Sequence, residues 1–325
     1  MATTTTTTLS GSSRRRLDRQ RVQDAAFRGT TQAFAIGVLV LLGGVVAALT
    51  VGAIPAFVKF GWYFLASDAW NPVTEKFGAL PAVYGTLVTS FIAMLIAIPL
   101  GIGIAVFLTE LCPPALRRPI GTLIELLAAI PSIIYGIWGL FILAPVLQGT
   151  VQPLLVDTLG ELPVIGALFA GPPLGLGVLT AGVILGVMVL PFIASVTRDV
   201  FLTVPSMLRE SAYGVGATTA EVIWHIVLPY TRTGVIGAIM LALGRALGET
   251  MAVTFVIGNA HRIKASLLAP GTTISATLAN EFTEAVGTLY TSSLFALGFI
   301  LFVITFIVLA AAKMMLLRLD QQAAK

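Results

Sequence analysis

The chain has 325 residues, of which 57% are hydrophobic and only 10% are charged, with a formal net charge of +4. Soluble domains carry about a quarter charged residues, so this composition excludes soluble domains and predicts a protein that crosses a membrane several times. The single cysteine excludes an intramolecular disulfide, and the two histidines lie too far apart for a metal-ligand spacing.

The N-terminus is polar and basic. Six threonines, Thr3 to Thr8, precede the stretch "SSRRRLDRQR". Because residues 1–31 show no apolar periodicity, we predict that they form a disordered cytoplasmic tail. Their arginines are interpreted as an anchor that fixes the orientation of the first span.

Apolar segments long enough to cross a bilayer, which takes about 20 residues, follow the tail. The six predicted spans are 32–57, 83–108, 120–147, 177–197, 233–257 and 292–317. They predict an all-α integral membrane protein whose transmembrane domain covers residues 32–317, with its core at 83–317 and a cytoplasmic C-terminus at 318–325.

Two further stretches are ambiguous. Residues 58–80 contain aromatic side chains that suit a membrane interface. Residues 150–176 are apolar but are interrupted by four prolines, which favours an interfacial or re-entrant loop over a seventh span.

The basic residues are distributed unequally across the predicted membrane. One side receives fourteen, which are Arg14, Arg15, Arg16, Arg19, Arg21, Arg28, Arg117, Arg118, Arg198, Arg209, Arg232, Lys313, Arg318 and Lys325. The other receives four, Lys59, Lys76, Arg262 and Lys264. Cytoplasmic loops carry the excess of Lys and Arg, so both termini are predicted to be cytoplasmic. Arg245, in the fifth predicted span, is the one basic residue left over from this count.

The longest predicted cytoplasmic connection contains the patterned segment 203–229, "TVPSMLRESAYGVGATTAEVIWHIVLP". Pro205 suits a helix start, and Gly214 to Gly216 suit a turn. Thr218 and Glu221 form a capping-box pattern, and Pro229 is expected to end or kink the second helix. We therefore expect two short helices at the membrane surface.

Residues 210–229 resemble the EAA loop of binding-protein-dependent ABC importer permeases. Six positions match the pattern at its spacing, namely Glu210, Ala212, Gly216, Ile226, Leu228 and Pro229, while Ser211 replaces the first alanine. The resemblance implies a type I ABC importer permease fold. It also implies that Glu210, Ser211, Ala212 and Gly216 belong to a helix that docks on a cytoplasmic ATPase.

The chain has no Gly-x-x-x-x-Gly-Lys-[Ser/Thr] phosphate loop. The energy for active transport would therefore come from another subunit. We expect a non-catalytic transport subunit that binds no cofactor itself, with ATP used by a partner ATPase.

The predicted fifth span contains two charges, Arg245 and Glu249, in "ALGRALGETMAV". On a continuous helix they would lie on one face, one turn apart. A charge at the bilayer centre costs roughly 2.5–3.5 kcal/mol even on lenient scales. They could neutralise each other, although Arg before Glu is the poorer order. Alternatively they could line a substrate path, because a guanidinium suits oxyanions; intramembrane charges favour this second interpretation.

Three further segments resemble phosphate-specific ABC importer permeases: "LGRALGETMAVTFVIGN" (243–259), "WNP…FGALPAVYGTLVTS" (70–90) and "AAIPSIIYGIWGL" (128–140). The resemblance implies a multi-pass plasma-membrane subunit of a phosphate importer. It further implies a second permease (PstA-like), an ATPase dimer (PstB-like) and an extracytoplasmic phosphate-binding protein (PstS-like). Arg245 and Glu249 match residues implicated in phosphate passage.

Other functions stay open from the residues. An ABC permease for sulfate, molybdate or phosphonate would share the EAA loop. An ion-coupled carrier or a self-powered channel would need no ATPase, but no internal repeat is evident. An intramembrane enzyme is least favoured, because the spans contain no paired catalytic carboxylates, metal cluster or activated nucleophile.

Overall fold

The computed structural model describes residues 11–163 and 166–323. Regular structure in these residues is helical, apart from one isolated antiparallel bridge between Asn71 and Lys76. Six helical segments are long and apolar enough to cross a membrane: Gln23–Phe60, Leu80–Leu111, Ser132–Leu159, Val178–Leu202, Thr219–Leu247 and Thr288–Leu317. The predicted all-α class with six spans is confirmed. The cytoplasmic placement of the termini stays a prediction.

The helices of the first half of the chain are α1 (Gly11–Phe60), α2 (Tyr63–Ala66), α3 (Leu80–Val106), α4 (Pro114–Ala128), α5 (Ser132–Trp138), α6 (Ala144–Val146), α7 (Gln152–Leu159) and α8 (Gly166–Phe169). Those of the second half are α9 (Val178–Leu202), α10 (Ser206–Gly214), α11 (Thr219–Val222), α12 (Leu228–Leu247), α13 (Met251–Thr254), α14 (Ile274–Glu281) and α15 (Thr288–Ala323). Wider π-helical turns extend α3 and join helices within two spans, at Phe107–Leu111, Gly139–Leu143, Leu147–Val151 and Ile223–Val227.

The chain divides into two units, residues 1–51 and 52–325. In the first unit, α1 already begins at Gly11, so the prediction of a disordered tail is wrong for residues 11–31. Extending an existing helix adds one hydrogen bond per ordered residue, whereas nucleating a new one is costly. The hydroxyl of Thr31, for example, donates to the carbonyl of Phe27 at 2.8 Å. Residues 1–10 lie outside the described residues.

The third span differs from its predicted range of 120–147. Helix α4 stops at Ala128, and a new helical segment runs from Ser132 to Leu159. The cause is Pro131, which has no N–H to donate and which disfavours the helical region for Ile130 before it. Part of the predicted loop 150–176 therefore belongs to the third span, while the described residues of its remainder form only the short helix α8.

The fifth span also differs from its predicted range of 233–257. A helical segment runs from Thr219 to Leu247 and stops before Gly248. Pro229 does not end this segment, so the second helix of the patterned stretch is not the short helix that was predicted. The π-helical turn Ile223–Val227 precedes the proline, and such a wider turn accommodates a residue that lacks an N–H and crowds the preceding turn.

The last helix is also longer than its predicted span, 292–317. Helix α15 continues to Ala323 and includes residues 318–323 of the predicted C-terminal region. Residues 324–325 lie outside the described residues.

Within the second unit, α3 and α9 form the most extensive helix pair. Their contact is close because small residues line it: Gly182 of α9 meets the side chain of Ile92, and Ala93 and Ala181 are fully buried. Small residues let backbones approach in a membrane, where packing rather than hydrophobic exclusion drives association. The same helix α3 approaches the loop before α14 at Gly85, where a side chain would overlap the carbonyl oxygen of Thr272.

A polar cluster joins two loops to helices α14 and α15 at the opposite end of the bundle from α10. The carboxylate of Glu281 accepts hydrogen bonds from Trp70 Nε1 at 2.6 Å and from the Tyr290 hydroxyl at 2.8 Å. It also lies 2.7 Å from Nε2 of His261, whose ring stacks on Trp70. Burial raises the pKa of Glu281, but the hydrogen bonds from His261, Tyr290 and Trp70 outweigh burial, so its pKa is lowered.

We predict that Gly85→Ala lowers the thermal stability of the purified protein, because the new methyl group would overlap backbone that has no rotamer to move away. The matched control is Gly103→Ala in the same helix. Among the described residues a Cβ at Gly103 meets no atom within 4 Å, and alanine is favoured over glycine in a helix by about 1 kcal/mol. An equal or higher melting temperature for Gly85→Ala would contradict the packing described.

We predict that the Glu281 cluster loses its contribution to stability in acid. A lowered native pKa stabilises the fold above the unfolded value, about 4.3 for Glu, and this contribution disappears as the pH falls through the native pKa. Glu281→Gln should therefore lower the melting temperature at pH 7, and its deficit relative to wild type should shrink below about pH 4. Glu284→Gln, at an exposed position nearby, is the control; a pH-independent deficit for Glu281→Gln would contradict the prediction.

Candidate functional site

Arg245 lies in the last turn of α12, deep within the bundle. From Leu228 at the start of α12 it is about 25 Å along the helix axis, at 1.5 Å per residue. Its side chain is half-buried. Across residues 11–163 and 166–323, the structure shows no hydrogen bond or ion pair of the Arg245 guanidinium, which leaves the donors of this cation available to a ligand.

Glu249 does not continue the helix that contains Arg245. Helix α12 ends at Leu247, and residues Gly248 to Thr250 are non-helical before the short helix α13 begins. Glu249 Oε1 accepts a hydrogen bond from the backbone N–H of Ala252 at 3.2 Å, so the carboxylate caps α13. The prediction that Arg245 and Glu249 share one continuous helix face is therefore wrong. The local reason is that the side chain of Glu249 satisfies a backbone donor that no longer has an intrahelical acceptor.

The small residues that precede the break place α12 among other helices. Ala238, Ala242 and Ala246 are buried, and a side chain at Gly244 would contact Leu309 of α15. Helix α12 packs against α9, α15 and α3.

A second interrupted helix faces the first break. The turn at Ala129 to Pro131 separates α4 from α5, and Gly136 of α5 lies against the backbone of α13. A Cβ at Gly136 would lie 2.9 Å from the carbonyl oxygen of Met251. Interrupted helices that meet within a membrane bundle are a recurrent way to form a transport site, because their free backbone groups and helix ends can face a polar path.

Tyr135 connects these two breaks and was not singled out from the sequence. Its hydroxyl donates to the carbonyl of Leu127 across the α4–α5 turn at 2.8 Å, and its ring lies within electrostatic reach of Arg245. The sequence signal was the Pro131-to-Gly136 stretch, but its proximity to Arg245 depends on the packing of α5 against α13.

The arrangement has two physical consequences for Arg245. Its position at the C-terminal end of α12 places a cation near the negative end of the helix dipole, which stabilises the charge by about 0.3–1 kcal/mol. That term is smaller than the insertion cost of roughly 2.5–3.5 kcal/mol, so helix capping alone does not account for the arginine. The planar guanidinium fork can bind a tetrahedral oxyanion through two parallel hydrogen bonds.

At the other end of the fifth span, the segment 203–229 forms a two-helix elbow, in which the short helix α10 is followed by the start of the long segment Thr219–Leu247. Helix α10 follows Pro205, and Gly216 adopts φ +92°, which glycine tolerates in a tight turn. The Thr218 backbone N–H donates to Glu221 Oε2 at 2.7 Å, and the Glu221 N–H donates to Thr218 Oγ1 at 3.4 Å. The predicted capping box is confirmed.

The four predicted coupling residues differ in exposure. Glu210, Ser211 and Gly216 are exposed, whereas Ala212 is half-buried and packs against an apolar cluster that contains Phe201 and Val222. One side of α10 is thus fixed to the bundle, and its other side is accessible to another chain.

An ion pair that could not be found from the sequence holds α10 against the ends of α9 and of the α3 segment. Arg209 Nη2 donates to the carbonyl of Phe201 at 2.7 Å and lies 3.3 Å from Glu110 Oε1. The side chains are 19% and 6% exposed, so this charge pair is largely removed from water. The only sequence signal was a carboxylate, Glu110, at the end of a long apolar segment, and spacing could not identify its partner.

Comparisons with known proteins agree with this architecture. Residues 97–321 match the family described as "Binding-protein-dependent transport system inner membrane component". The "Phosphate transport system permease protein PstC" of Mesorhizobium japonicum is 68% identical over 297 residues, which cover 91% of each chain. The protein of the same name from Pasteurella multocida is 55% identical over 299 residues, covering 92% of this chain and 93% of that one.

Among solved structures, the crystal structure of a bacterial alginate ABC transporter in complex with an alginate pentasaccharide-bound periplasmic protein contains a similar chain. The TM-score is 0.59 at 18% identity, with 92% of this chain and 96% of that chain covered. This likeness concerns the fold alone and agrees with the predicted type I ABC importer permease fold. The chain is a multi-pass inner membrane protein that belongs to the binding-protein-dependent transport system inner membrane components, and within them to the PstC family of phosphate transport permeases.

Proposed function

We propose that this chain is the membrane-spanning permease subunit of an ATP-driven importer of inorganic phosphate and that it forms half of the translocation path. The observation that carries the proposal is the half-buried Arg245, which has no charge partner among the described residues and lies where the fifth span is interrupted. The high identity to proteins named as phosphate transport permeases supports phosphate as the anion.

Arg245 is proposed to act as a transient stop for the anion. A conducting site must bind an ion well enough to admit it and weakly enough to release it. Glu249 lies four residues after Arg245 in the sequence. The negative charge of its ionised carboxylate would repel a dianion bound at Arg245 and so weaken its retention. An ionised carboxylate can only accept hydrogen bonds. Glu249 Oε1 accepts a hydrogen bond from the Ala252 N–H, and the other oxygen of this carboxylate could accept a hydrogen bond from the P–OH group of phosphate, a donor that fully ionised sulfate does not have.

The alternatives are less well supported. A permease for sulfate, molybdate or phosphonate would share the fold, since the structurally similar alginate transporter shows that this fold alone does not specify the substrate. An ion-coupled carrier would not require the exposed elbow at α10. The family to which the chain belongs favours an importer that works with a binding protein.

The partners follow from the same proposal. A second permease (PstA-like) would complete the path, and a phosphate-binding protein (PstS-like) would deliver the anion. An ATPase dimer (PstB-like) would use the ATP, so this chain would be non-catalytic and bind no cofactor. Glu210, Ser211, Ala212 and Gly216 are proposed to form the contact through which α10 receives the ATPase motion.

The Arg245 prediction is tested by phosphate uptake into vesicles that contain the complete importer. Arg245→Ala should reduce uptake at least about tenfold, since a hydrogen bond to a charged group is worth roughly 1.5–3 kcal/mol. Glu249→Gln keeps an oxygen that can cap α13 and isolates the effect of the charge. Arg28→Ala, at an exposed position, controls for the loss of one arginine. Full phosphate uptake by Arg245→Ala at normal membrane levels would remove the path hypothesis, and equal competition by sulfate would remove phosphate selectivity.

The Arg209–Glu110 ion pair gives a second prediction. Glu110→Gln leaves the Arg209 charge without its partner, and removing one member of a buried pair typically costs about 3–5 kcal/mol. We expect fewer phosphate ions transported per ATP hydrolysed in the reconstituted importer, because α10 would be less firmly held against the bundle.

The matched control neutralises the exposed pair Lys59–Glu75, which has side chains that are 49% and 61% exposed. Glu75→Gln should leave the transport ratio unchanged, because exposed pairs contribute little. The exchange of charges in Glu110→Arg with Arg209→Glu should restore part of the ratio. An unchanged ratio in folded Glu110→Gln would show that this pair has no part in coupling.

A further inference from the structure

A basic cavity lies apart from Arg245, at the end of the bundle that the distribution of Lys and Arg predicts to be cytoplasmic. It has a volume of about 330 Å³ and opens between the end of the α3 segment, α4 and the end of α9. Its polar lining consists of Arg117, Arg118, Arg198, Thr109, Thr122 and Glu125. Neither the proposed path nor the α10 elbow uses these side chains.

The three arginines of this cavity are not equivalent. Arg198 Nη2 is bound by Glu125 Oε1 at 2.6 Å and by Asp199 Oδ1 at 2.8 Å, so its charge is compensated. Arg117 Nε donates to the carbonyl of Cys112 at 2.7 Å, which fixes the guanidinium but leaves its charge in place. Arg117 and Arg118 therefore have no carboxylate partner among the described residues, and the three arginines together with Glu125 and Asp199 carry a net charge of +1.

The free donors sit on these two arginines. In the described part of the chain, the terminal nitrogens of Arg117 have no ion pair or hydrogen bond, and the same is true of the whole guanidinium of Arg118. A structural role would have given these groups carboxylate or carbonyl partners, as it does for Arg198. Adjacent guanidinium forks with unused donors match the oxygens of a phosphoryl group, which arginine binds through paired hydrogen bonds.

The surroundings of the cavity favour a ligand that is charged at one end and apolar at the other. Leu116 and Leu123 of α4 and Leu202 at the end of α9 are exposed. Basic pockets between spans on the cytoplasmic side of a membrane bind the head groups of anionic lipids. The volume lies at the small end of the range of about 300–1,000 Å³ found for ligand sites, which suits a head group.

We propose that this cavity is a binding site for a phosphoryl group at the inner membrane surface, and that its occupant is the phosphodiester of an anionic phospholipid whose acyl chains lie along the exposed leucines. Free cytoplasmic phosphate presents the same oxygens, so the two sources are separated by experiment. The site is independent of the anion path at Arg245.

The test uses the complete importer in nanodiscs that contain phosphatidylcholine with a minor fraction of phosphatidylglycerol. The phosphatidylglycerol retained after detergent extraction is measured by native mass spectrometry. Arg117→Gln with Arg118→Gln should lower retention at least about tenfold, because the lipid phosphate loses its charged hydrogen-bond donors. The matched control, Arg21→Gln with Arg28→Gln, removes two exposed arginines outside the cavity and should retain lipid as wild type does.

A second arm measures binding of radiolabelled inorganic phosphate to the same complexes without nucleotide or binding protein. A loss of phosphate binding confined to the cavity variant, with lipid retention unchanged, would support the site and identify free phosphate as its occupant. Thr122→Phe keeps both arginines but fills the cavity, so it should reproduce whichever loss is seen even if the double variant assembles poorly. Unchanged lipid retention and unchanged phosphate binding in both variants would overturn the proposal.

Discussion

The backbone of a membrane-spanning chain must satisfy its own hydrogen bonds, because lipid offers none. An interruption in a spanning helix is therefore tolerated only where protein or a polar path supplies partners. In this chain two interruptions, Ala129–Pro131 and Gly248–Thr250, come together through the packing of α5 on α13. The side chains that compensate them are Tyr135, whose hydroxyl binds the carbonyl of Leu127, and Glu249, which caps α13. The position of the half-buried Arg245 guanidinium depends on this same arrangement. Without the break at Gly248–Thr250, Arg245 would lie in the middle of a continuous apolar helix.

The helices of the bundle pack closely because lipid provides no hydrophobic driving force for association, so van der Waals contact between helices must hold them together. Helices α3 and α9 approach through glycine and alanine, and α12 enters the bundle through its own buried alanines. At both ends of the bundle, polar contacts replace apolar packing. Glu281 joins the loop that contains Trp70 to helix α15 at one end, and the Arg209–Glu110 pair fixes α10 at the other. The helices of the second unit are thus connected to one another at both ends of the bundle.

Composition and hydropathy were sufficient to predict the all-α class and the six spans, because the cost of exposing backbone to lipid makes long apolar helices almost obligatory. The capping box at Thr218 was also predictable, since it depends on residues three apart. The ends of the third and fifth spans were not. Pro131 was visible, but whether a proline kinks or interrupts a helix depends on its tertiary partners, and nothing local distinguished Gly248 from the other glycines of the segment.

The candidate site was predictable in its residues but not in its geometry. Arg245 and Glu249 stood out because charges are rare in spans, yet their separation by a helix break required the structure. Contacts between residues distant in sequence could not be predicted at all. Tyr135 approaches Arg245, and Glu110 approaches Arg209, only because different helices pack together, which residue spacing within one segment does not encode.

The helical segment from Thr219 to Leu247 links the elbow at α10 to the region of Arg245 without a loop between them. Because its hydrogen-bonded turns change little in length, an axial push at Thr218 must arrive as displacement at Leu247 rather than be absorbed on the way. The π-helical turn at Ile223–Val227 is the one wider section along this rod in the described chain. Tightening that turn would rotate everything beyond it, so a movement in the cytoplasm could turn the arginine about the helix axis as well as shift it.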